Sequence, residues 1–191
     1  MIWFTWMTLW KKTTMIDAIY FDTDCLSSFL WVKEFRILLS LFLGRIHIPY
    51  AVYVELSYPS VKHFKTEIDS LIVKGVVFID KFEPGSKEEE IYYRLVYNPE
   101  NGKQKIGKGE ASVIAFAKEN DGTLASNNLK DVGFYIDYYK LKSLSTPTIL
   151  LKAVSDRLLS DIEADLIWDK MTKKKQRFPC ETFAEYKKSI T

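Results

Sequence analysis

The sequence predicts an α/β protein with three layers (α/β/α), in which helices cover both faces of a central, mainly parallel five-stranded sheet. Short runs rich in β-branched and aromatic residues alternate along the chain with longer segments whose apolar residues recur at helical spacing. Such alternation requires right-handed crossover connections, which place successive strands parallel to one another. A hydrophobic content of 47% over 191 residues is enough to bury the core of such a sheet.

The first half of the chain supplies three predicted strands and the helices between them. "IDAIYF" (16–21) is typical of a buried strand, and the apolar spacing over residues 26–43 predicts one helix. "RIHIP" (45–49) predicts the second strand and "VVFI" (76–79) the third. Two helical segments lie between these strands, and Gly75 is the expected C-terminal cap of the later one.

The second half continues the same alternation. A helix is predicted over residues 86–97, capped by its first serine, and a polar loop separates it from the helix that begins at Glu110. "TLAS" (123–126) predicts the fourth strand. "LSTPT" (144–148) predicts the fifth, followed by a helix from Ile149.

The chain is expected to form one domain with an addition at each end. Residues 15–155 carry the alternation, residues 1–14 form an apolar N-terminal extension, and residues 156–191 form a helical C-terminal appendage. The extension is too short to span a membrane, and no positive charge precedes its apolar stretch as in a signal peptide. We therefore expect it to dock its tryptophans on the body or to contact a partner, and we expect no membrane association.

Charge and cysteine content narrow the function only slightly. A formal charge of +2 identifies neither a nucleic acid nor a membrane as partner, so any polyanion site must come from local clustering. Cys25 and Cys180 do not have the spacing of metal ligands and are too few for a disulfide scaffold. Free thiols of this kind favour a cytoplasmic location.

Acidic residues occur where a ligand site is expected. They end the first strand, interrupt the apolar run after the second, open the helix before the fourth and follow the fourth: Asp22, Glu55, Glu110 and Asp131. Ligands of parallel sheets bind at the carboxyl ends of the strands, so we expect these carboxylates to share one pocket. Their mutual repulsion would be relieved by a hard divalent cation such as Mg²⁺ or Mn²⁺. Taken singly, most of them are also ordinary helix-capping, first-turn or loop acids.

Four motifs occur in a distinctive order: "YFDTDCLSSFL", "IPYAVYVEL", "GKGEASVIAFAKE" and "TLASNNLKDVGF". Over residues 16–155 they resemble, in order and approximate spacing, the PIN-domain family of metal-dependent ribonucleases, which includes many VapC-like toxins of bacterial toxin–antitoxin pairs. The resemblance implies a PIN-like fold and an endoribonuclease that hydrolyses RNA phosphodiester bonds with Mg²⁺ or Mn²⁺. It also implies an antitoxin protein as a partner, and a homodimer is a further expectation.

The resemblance also implies a role for each of several residues in the active site. The metal-binding and catalytic acids are Asp22, Glu55, Glu110 and Asp131. The positions expected to support them through hydrogen bonds are Asp24, Ser126 and Asn128. Many relatives have an acid where this chain has Asn128, so the fourth carboxylate must come from Asp131, or the site has three acids.

Three lysines lead up to Glu110 and are candidates for RNA phosphate contacts: Lys103, Lys105 and Lys108. A solvated polar loop explains these lysines equally well. Two other function classes also stay open. One is a catalytically weak or inactive PIN-like module that binds RNA or a protein partner, which Asn128 favours. The other is a phosphoacceptor domain of the receiver type that uses Asp80, although it leaves Glu55 and Glu110 without a task.

Overall fold

A computed structural model describes residues 17–59, 61–99 and 105–190. The N-terminal extension over residues 1–14 and the side chain of Lys103 lie outside the described residues, so the expectations stated for them stay predictions. Across the described ranges, no helix is both long and apolar enough to cross a membrane.

The described residues contain five strands: β1 (Ile19–Phe21), β2 (Ile46–Pro49), β3 (Val77–Asp80), β4 (Thr123–Ala125) and β5 (Lys142–Leu144). They form one sheet in the order β3-β2-β1-β4-β5, and every neighbouring pair is parallel. The central strand β1 is fully buried, and its Ile19 lies opposite Ile46 on one side and Thr123 on the other. The sheet confirms the predicted α/β class.

Ten helices connect and cover the strands within the described ranges: α1 (Thr23–Trp31), α2 (Phe35–Phe42), α3 (Tyr50–Glu55), α4 (Lys62–Val73), α5 (Lys87–Tyr97), α6 (Lys108–Glu119), α7 (Leu129–Tyr139), α8 (Thr146–Ser155), α9 (Asp161–Lys173) and α10 (Phe183–Ser189). They flank the sheet in the three-layer arrangement expected of a PIN-like fold. Helix α6 is among the most buried of them, since its residues from Gly109 to Ala117 are all buried except Glu110. As a result, the first turn of α6 is fixed firmly against the sheet.

The predicted helix over residues 26–43 is in fact two helices. Lys33 has a φ of 60°, and the chain turns between α1 and α2 at this residue. The amide of Lys33 donates to the Leu30 carbonyl at 3.1 Å, and the amide of Glu34 donates to the Phe29 carbonyl at 2.9 Å. These are the two hydrogen bonds that close a helix in a Schellman motif, usually with glycine where this chain has lysine.

The end of the sheet also differs in detail from the prediction. Strand β5 lies before the predicted stretch, and "STPT" opens α8 instead of forming a strand. Ser145 caps this helix, since its side chain accepts from the Thr148 amide while Thr148 bonds back to the backbone of Ser145. Helix α7, which lies between β4 and β5, was not predicted.

The C-terminal segment packs on the rest of the chain. Helix α9 contacts α1 and α8, and α10 contacts α8 and α9. Trp168 is buried at the centre of this packing, with its ring 4.3 Å from that of Phe178, and its Nε1 donates to the Glu181 carbonyl at 3.1 Å. The division of the chain at residue 155 stays a prediction.

Strand order and pairing argue against the receiver alternative. Receiver domains have the flavodoxin-like order 2-1-3-4-5, whereas the central strand here is β1. The acid at the end of β3, Asp80, hydrogen-bonds through Oδ2 to Nδ1 of His47 at 2.8 Å. Asp80 is therefore engaged with a neighbouring strand.

Candidate active site

Asp22 stands at the point where β1 passes into α1. Its amide donates to the Ala125 carbonyl at 2.8 Å, which continues the pairing of β1 with β4 by one residue. The extended backbone then places its carboxylate over the start of α1, where Oδ1 accepts from the Thr23 amide at 2.6 Å. The other oxygen, Oδ2, accepts from Oγ of Ser126 at 2.9 Å. Asp22 thus caps the helix and also faces the carboxyl edge of the sheet.

The Asp22 carboxylate is buried among like charges. Only 4% of the residue is exposed, and burial is the main reason why its pKa rises from 3.8 to about 8. The negative charges of Glu110 and Asp24 raise this pKa further, and the bonds from Ser126 and Thr23 offset only part of the rise. Among the described residues, no lysine, arginine or histidine lies within salt-bridge distance of Asp22.

Glu55 reaches the same edge of the sheet from the last residue of α3. Its Oε2 accepts a short hydrogen bond from the Thr23 hydroxyl, and its carboxylate also accepts from the Gly109 amide. A Cβ at position 109 would lie 2.8 Å from Glu55 Oε1, so any other residue there would require the Glu55 carboxylate to shift. Burial raises the pKa of Glu55, and the charges of Glu110 and Asp24 add to the effect.

Glu110 and Asp131 are joined by one amide. Nδ2 of Asn128 donates to Glu110 Oε1 at 3.2 Å and to Asp131 Oδ2 at 2.7 Å. The backbone amide of Asn128 donates to Ser126 Oγ at 3.1 Å, and this hydroxyl in turn donates to Asp22. A continuous set of hydrogen bonds therefore connects the acid after β1 with the two acids next to β4.

The structure brings most of the predicted residues to one edge. Glu110 interacts electrostatically with both Asp22 and Glu55. Asp24 lies at the exposed rim, and Asp131 is joined to Glu110 through Asn128. Of the candidate lysines, Lys105 and Lys108 are exposed on the approach to α6. Within the described part of the chain, no three His, Cys, Asp or Glu side chains are close enough together to hold a metal ion as they stand.

Two residues of this site were missed by the sequence analysis. Thr23 donates to Glu55 through its hydroxyl and to Asp22 through its amide, so it joins two acids that are 33 residues apart. Gly109 brings its amide up to Glu55. The position of Thr23 between two acids was the only signal for it, whereas Gly109 had none beyond the Gly-Glu pair of the third motif.

The donor chemistry of the site suits a hard divalent cation. The carboxylates of Glu110 and Asp24 and the Ser126 hydroxyl lie around the buried Asp22, and Sγ of Cys25 is buried and accepts from the Thr146 hydroxyl. Cys25 is a free thiol whose pKa burial raises to about 12, so it stays neutral at physiological pH. An oxygen-lined pocket with unbalanced negative charge fits Mg²⁺ or Mn²⁺ better than a soft metal.

The chain matches a known protein family. The model of the DUF3368 family, a PIN-domain family, matches residues 18–191. The matched range contains all the acids described above and the helices of the C-terminal segment. No curated protein matches the chain.

Proposed function

Because the chain belongs to the PIN-domain family, whose fold is typical of nucleases, we propose that it is an Mg²⁺- or Mn²⁺-dependent endoribonuclease that hydrolyses RNA phosphodiester bonds. One observation carries the proposal. Asp22, Glu55 and Glu110 converge at the carboxyl edge of the sheet, and the most buried of them has no cationic side chain beside it in the described residues. An unbalanced cluster of this kind raises the free energy of the fold unless a cation or protons neutralise it.

Each residue then has a definite task. Asp22, Glu55 and Glu110 would hold the cation, while Ser126 and Thr23 keep the first two carboxylates in position through their hydroxyls. A bound Mg²⁺ or Mn²⁺ supplies positive charge at the scissile phosphate and activates the attacking water. The chain needs no side-chain nucleophile for this reaction.

The substrate would approach from the side of the exposed lysines. Lys108 begins α6 two residues before Glu110, and Lys105 precedes it in the loop. Phosphate contacts from such lysines position an RNA strand without reading its sequence. Lys103 belongs to the same proposal on the basis of sequence alone.

The biological setting that we propose is the toxin of a cytoplasmic toxin–antitoxin pair, with an antitoxin protein as partner and a homodimer as assembly. Its support is the likeness of the four motifs to the PIN-domain family, which includes many VapC-like toxins. A small neighbouring reading frame that encodes a DNA-binding protein is the expected genomic observation. A stand-alone gene would favour a nuclease without an antitoxin.

Asn128 favours a second candidate, a PIN-like module that binds RNA or a protein and is weak or inactive as a nuclease. Its amide occupies the place between Glu110 and Asp131 and contributes no charge there. With one fewer carboxylate the site binds a divalent cation less strongly.

Cleavage of a labelled single-stranded RNA in Mn²⁺, in Mg²⁺ and in a chelator tests the proposal. Cleavage is expected only with a divalent cation, and Asp22→Asn should reduce it by more than about 100-fold, beyond the loss typical of residues that merely support a metal ligand. Asp17→Asn is the matched control, because Asp17 lies at the opposite end of β1 and its carboxylate pairs with Arg45. Circular dichroism of both variants verifies folding.

Cleavage that is as fast in chelator as in Mn²⁺, or an Asp22→Asn variant as active as the wild type, contradicts the proposed metal site. RNA binding without cleavage under all conditions favours the inactive module.

A further inference from the structure

A groove of about 560 Å³ opens beside the acids, and Glu55 lines both. Its walls come from two elements of the chain. Tyr50, Val54 and Tyr58 project from α3 and the turn after it, while Phe82 and Tyr92 come from the segment after β3 and from α5. Its volume lies within the range of about 300–1,000 Å³ that is typical of small-ligand sites.

The aromatic residues of the groove have unequal freedom. Phe82 and Tyr92 form its packed wall, since the Phe82 ring lies 4.9 Å from Tyr92 and stacks on Phe116 at 4.6 Å. Tyr58 is 59% exposed, and its ring has no aromatic or cationic partner among the described residues. Tyr50 is also exposed, with Nζ of Lys81 at 4.8 Å from its ring centroid. A planar ligand therefore finds a free aromatic face at Tyr58.

The charges around the groove suit a phosphate. Lys81 and Lys108 line it, and neither has a carboxylate within salt-bridge distance among the described residues. Two carboxylates also line the groove: Asp80 is hydrogen-bonded to His47, and Glu55 belongs to the neighbouring acid site. Two cations beside an aromatic surface match the two parts of a nucleotide, an anionic phosphate and a flat base.

We propose that this groove binds one unpaired nucleobase of an RNA strand next to the phosphodiester that the acids act on. The base would stack on Tyr58, and Lys81 and Lys108 would contact the flanking phosphates. This inference rests on the proposed function, since the acids and the groove share Glu55. A base that is paired in a duplex cannot enter the groove, so the site would select single-stranded RNA.

Binding of a fluorescent single-stranded RNA of about ten nucleotides, a length within the usual site size, tests the groove. Fluorescence anisotropy with the full chain in chelator separates binding from cleavage. Tyr58→Ala should weaken binding by about 5- to 150-fold, the loss expected when one base is unstacked, whereas Tyr58→Phe should keep the affinity. A duplex of the same length should bind to Tyr58→Ala as tightly as to the wild type.

Tyr138→Ala is the matched control. Tyr138 is exposed to a similar degree, 50% against 59% for Tyr58. It lies in α7 two turns beyond Asp131, which moves it roughly 10 Å along the helix axis from the acids. Its substitution should leave RNA affinity unchanged.

The salt dependence of binding tests the cationic side of the groove. Lys81→Gln should reduce the slope of log affinity against log salt by about 0.7, the value for one lost phosphate contact to a single strand. Lys142→Gln, at a lysine that pairs with Asp17 and Asp121, should leave this slope unchanged. Equal slopes for the wild type and Lys81→Gln would remove Lys81 from the proposal.

The outcomes separate the groove from the nuclease. If the wild type and Tyr58→Ala bind and cleave RNA equally well, the proposed nucleobase site is wrong and the proposed nuclease activity stands. Tyr58-dependent RNA binding without cleavage supports the groove and contradicts the nuclease. A third outcome is that Tyr58→Ala binds RNA normally but no longer binds a protein partner. This result would contradict the nucleobase site and assign the groove to a protein.

Discussion

The two ends of β1 carry an aspartate each, and the fold treats them in opposite ways. Asp17, before the strand, pairs with Nη2 of Arg45 at 3.0 Å and lies 3.7 Å from Nζ of Lys142. Asp22, after the strand, is 4% exposed and has the charges of Glu110 and Asp24 nearby. Arginine and lysine side chains of the protein balance the charge of Asp17. No cationic side chain of the described residues does the same for Asp22.

The difference shows how to separate a structural acid from a candidate functional one when both stand at the end of a strand. Arg45 also donates through Nε to the Asp17 carbonyl at 2.8 Å, so this end of β1 is held to the start of β2. At the other end, Asp22 accepts hydrogen bonds only from neutral groups, the Thr23 amide and the Ser126 hydroxyl. Substitution of each aspartate by asparagine should therefore affect different properties.

The largest expected contrast is in the pH dependence of stability without metal. The folded-state pKa of Asp22, about 8, lies above its ordinary value of 3.8, so ionisation of this group destabilises the fold. The stability that protonated Asp22 contributes to the fold is fully present below pH 3.8 and is lost as the pH rises through about 8. Urea unfolding in chelator should show a loss on the order of 1 kcal/mol per pH unit within this window.

Asp22→Asn should remove most of this slope, with a remainder from the raised pKa of Glu55, and should be more stable than the wild type at neutral pH in chelator. Asp17→Asn should retain the slope, because it leaves the acids at the other end untouched. If the wild type and Asp22→Asn lose stability in parallel between pH 4 and 8, burial does not raise the pKa of Asp22.

The second contrast is the response to a divalent cation. A cation that binds only the native state at about 100 times its Kd adds about 2.7 kcal/mol, which raises the melting temperature of a domain of this size by roughly 5–10 °C. Mn²⁺ or Mg²⁺ should produce such a shift in the wild type and in Asp17→Asn. Asp22→Asn should lose most of it. Identical melting curves with cation and with chelator in the wild type would exclude a cation site that is coupled to folding.

A smaller effect is expected at Asp24, which lies in the same motif as Asp22 but is exposed. Its charge helps to raise the pKa values of Asp22 and Glu55, so it contributes to the negative potential that attracts a cation. Asp24→Asn should reduce cleavage by about 10- to 100-fold at limiting Mn²⁺, the range for groups that support a metal ligand. Activity should recover at saturating Mn²⁺. A loss as complete as that of Asp22→Asn would instead make Asp24 a direct ligand.

The sheet and the acids were predictable because their signals are local. Strands β1 to β4 lie in short, mainly apolar runs, whereas β5 is mostly polar and exposed. An acid that follows such a run needs only the parallel-sheet rule to be placed at the common edge. The break at Lys33 was not predictable, since a positive φ at a lysine has no counterpart in the usual helix-ending residues. Helix α7 did carry a signal, because Val132 and Tyr135 are buried at helical spacing, but the polar stretch before it favoured a loop.

The hydrogen bonds of the site are the part that the sequence does not reveal. Thr23 and Glu55 are 32 residues apart, and Ser126 and Asp22 are 104 apart. Such pairs depend on how strands and helices meet, which no spacing rule encodes. Ser126 was nevertheless predicted as a supporting residue, through the family resemblance, and the structure places its hydroxyl on Asp22.

The smallest effect is expected at Asn128, where the chain differs from many relatives. Its amide donates to both Glu110 and Asp131, so Asn128→Asp removes two hydrogen bonds and adds a charge among the acids. We expect the variant to be less stable than the wild type in chelator and to bind Mn²⁺ several-fold more tightly, because a fourth carboxylate strengthens the attraction for a hard cation. Melting temperature as a function of Mn²⁺ concentration measures both. Asn127→Asp is the matched control: it adds the same charge one residue away, where the side chain instead bonds to Thr146. If the two variants responded alike to Mn²⁺, the gain would reflect net charge alone, and Asn128 would have no special place beside the site.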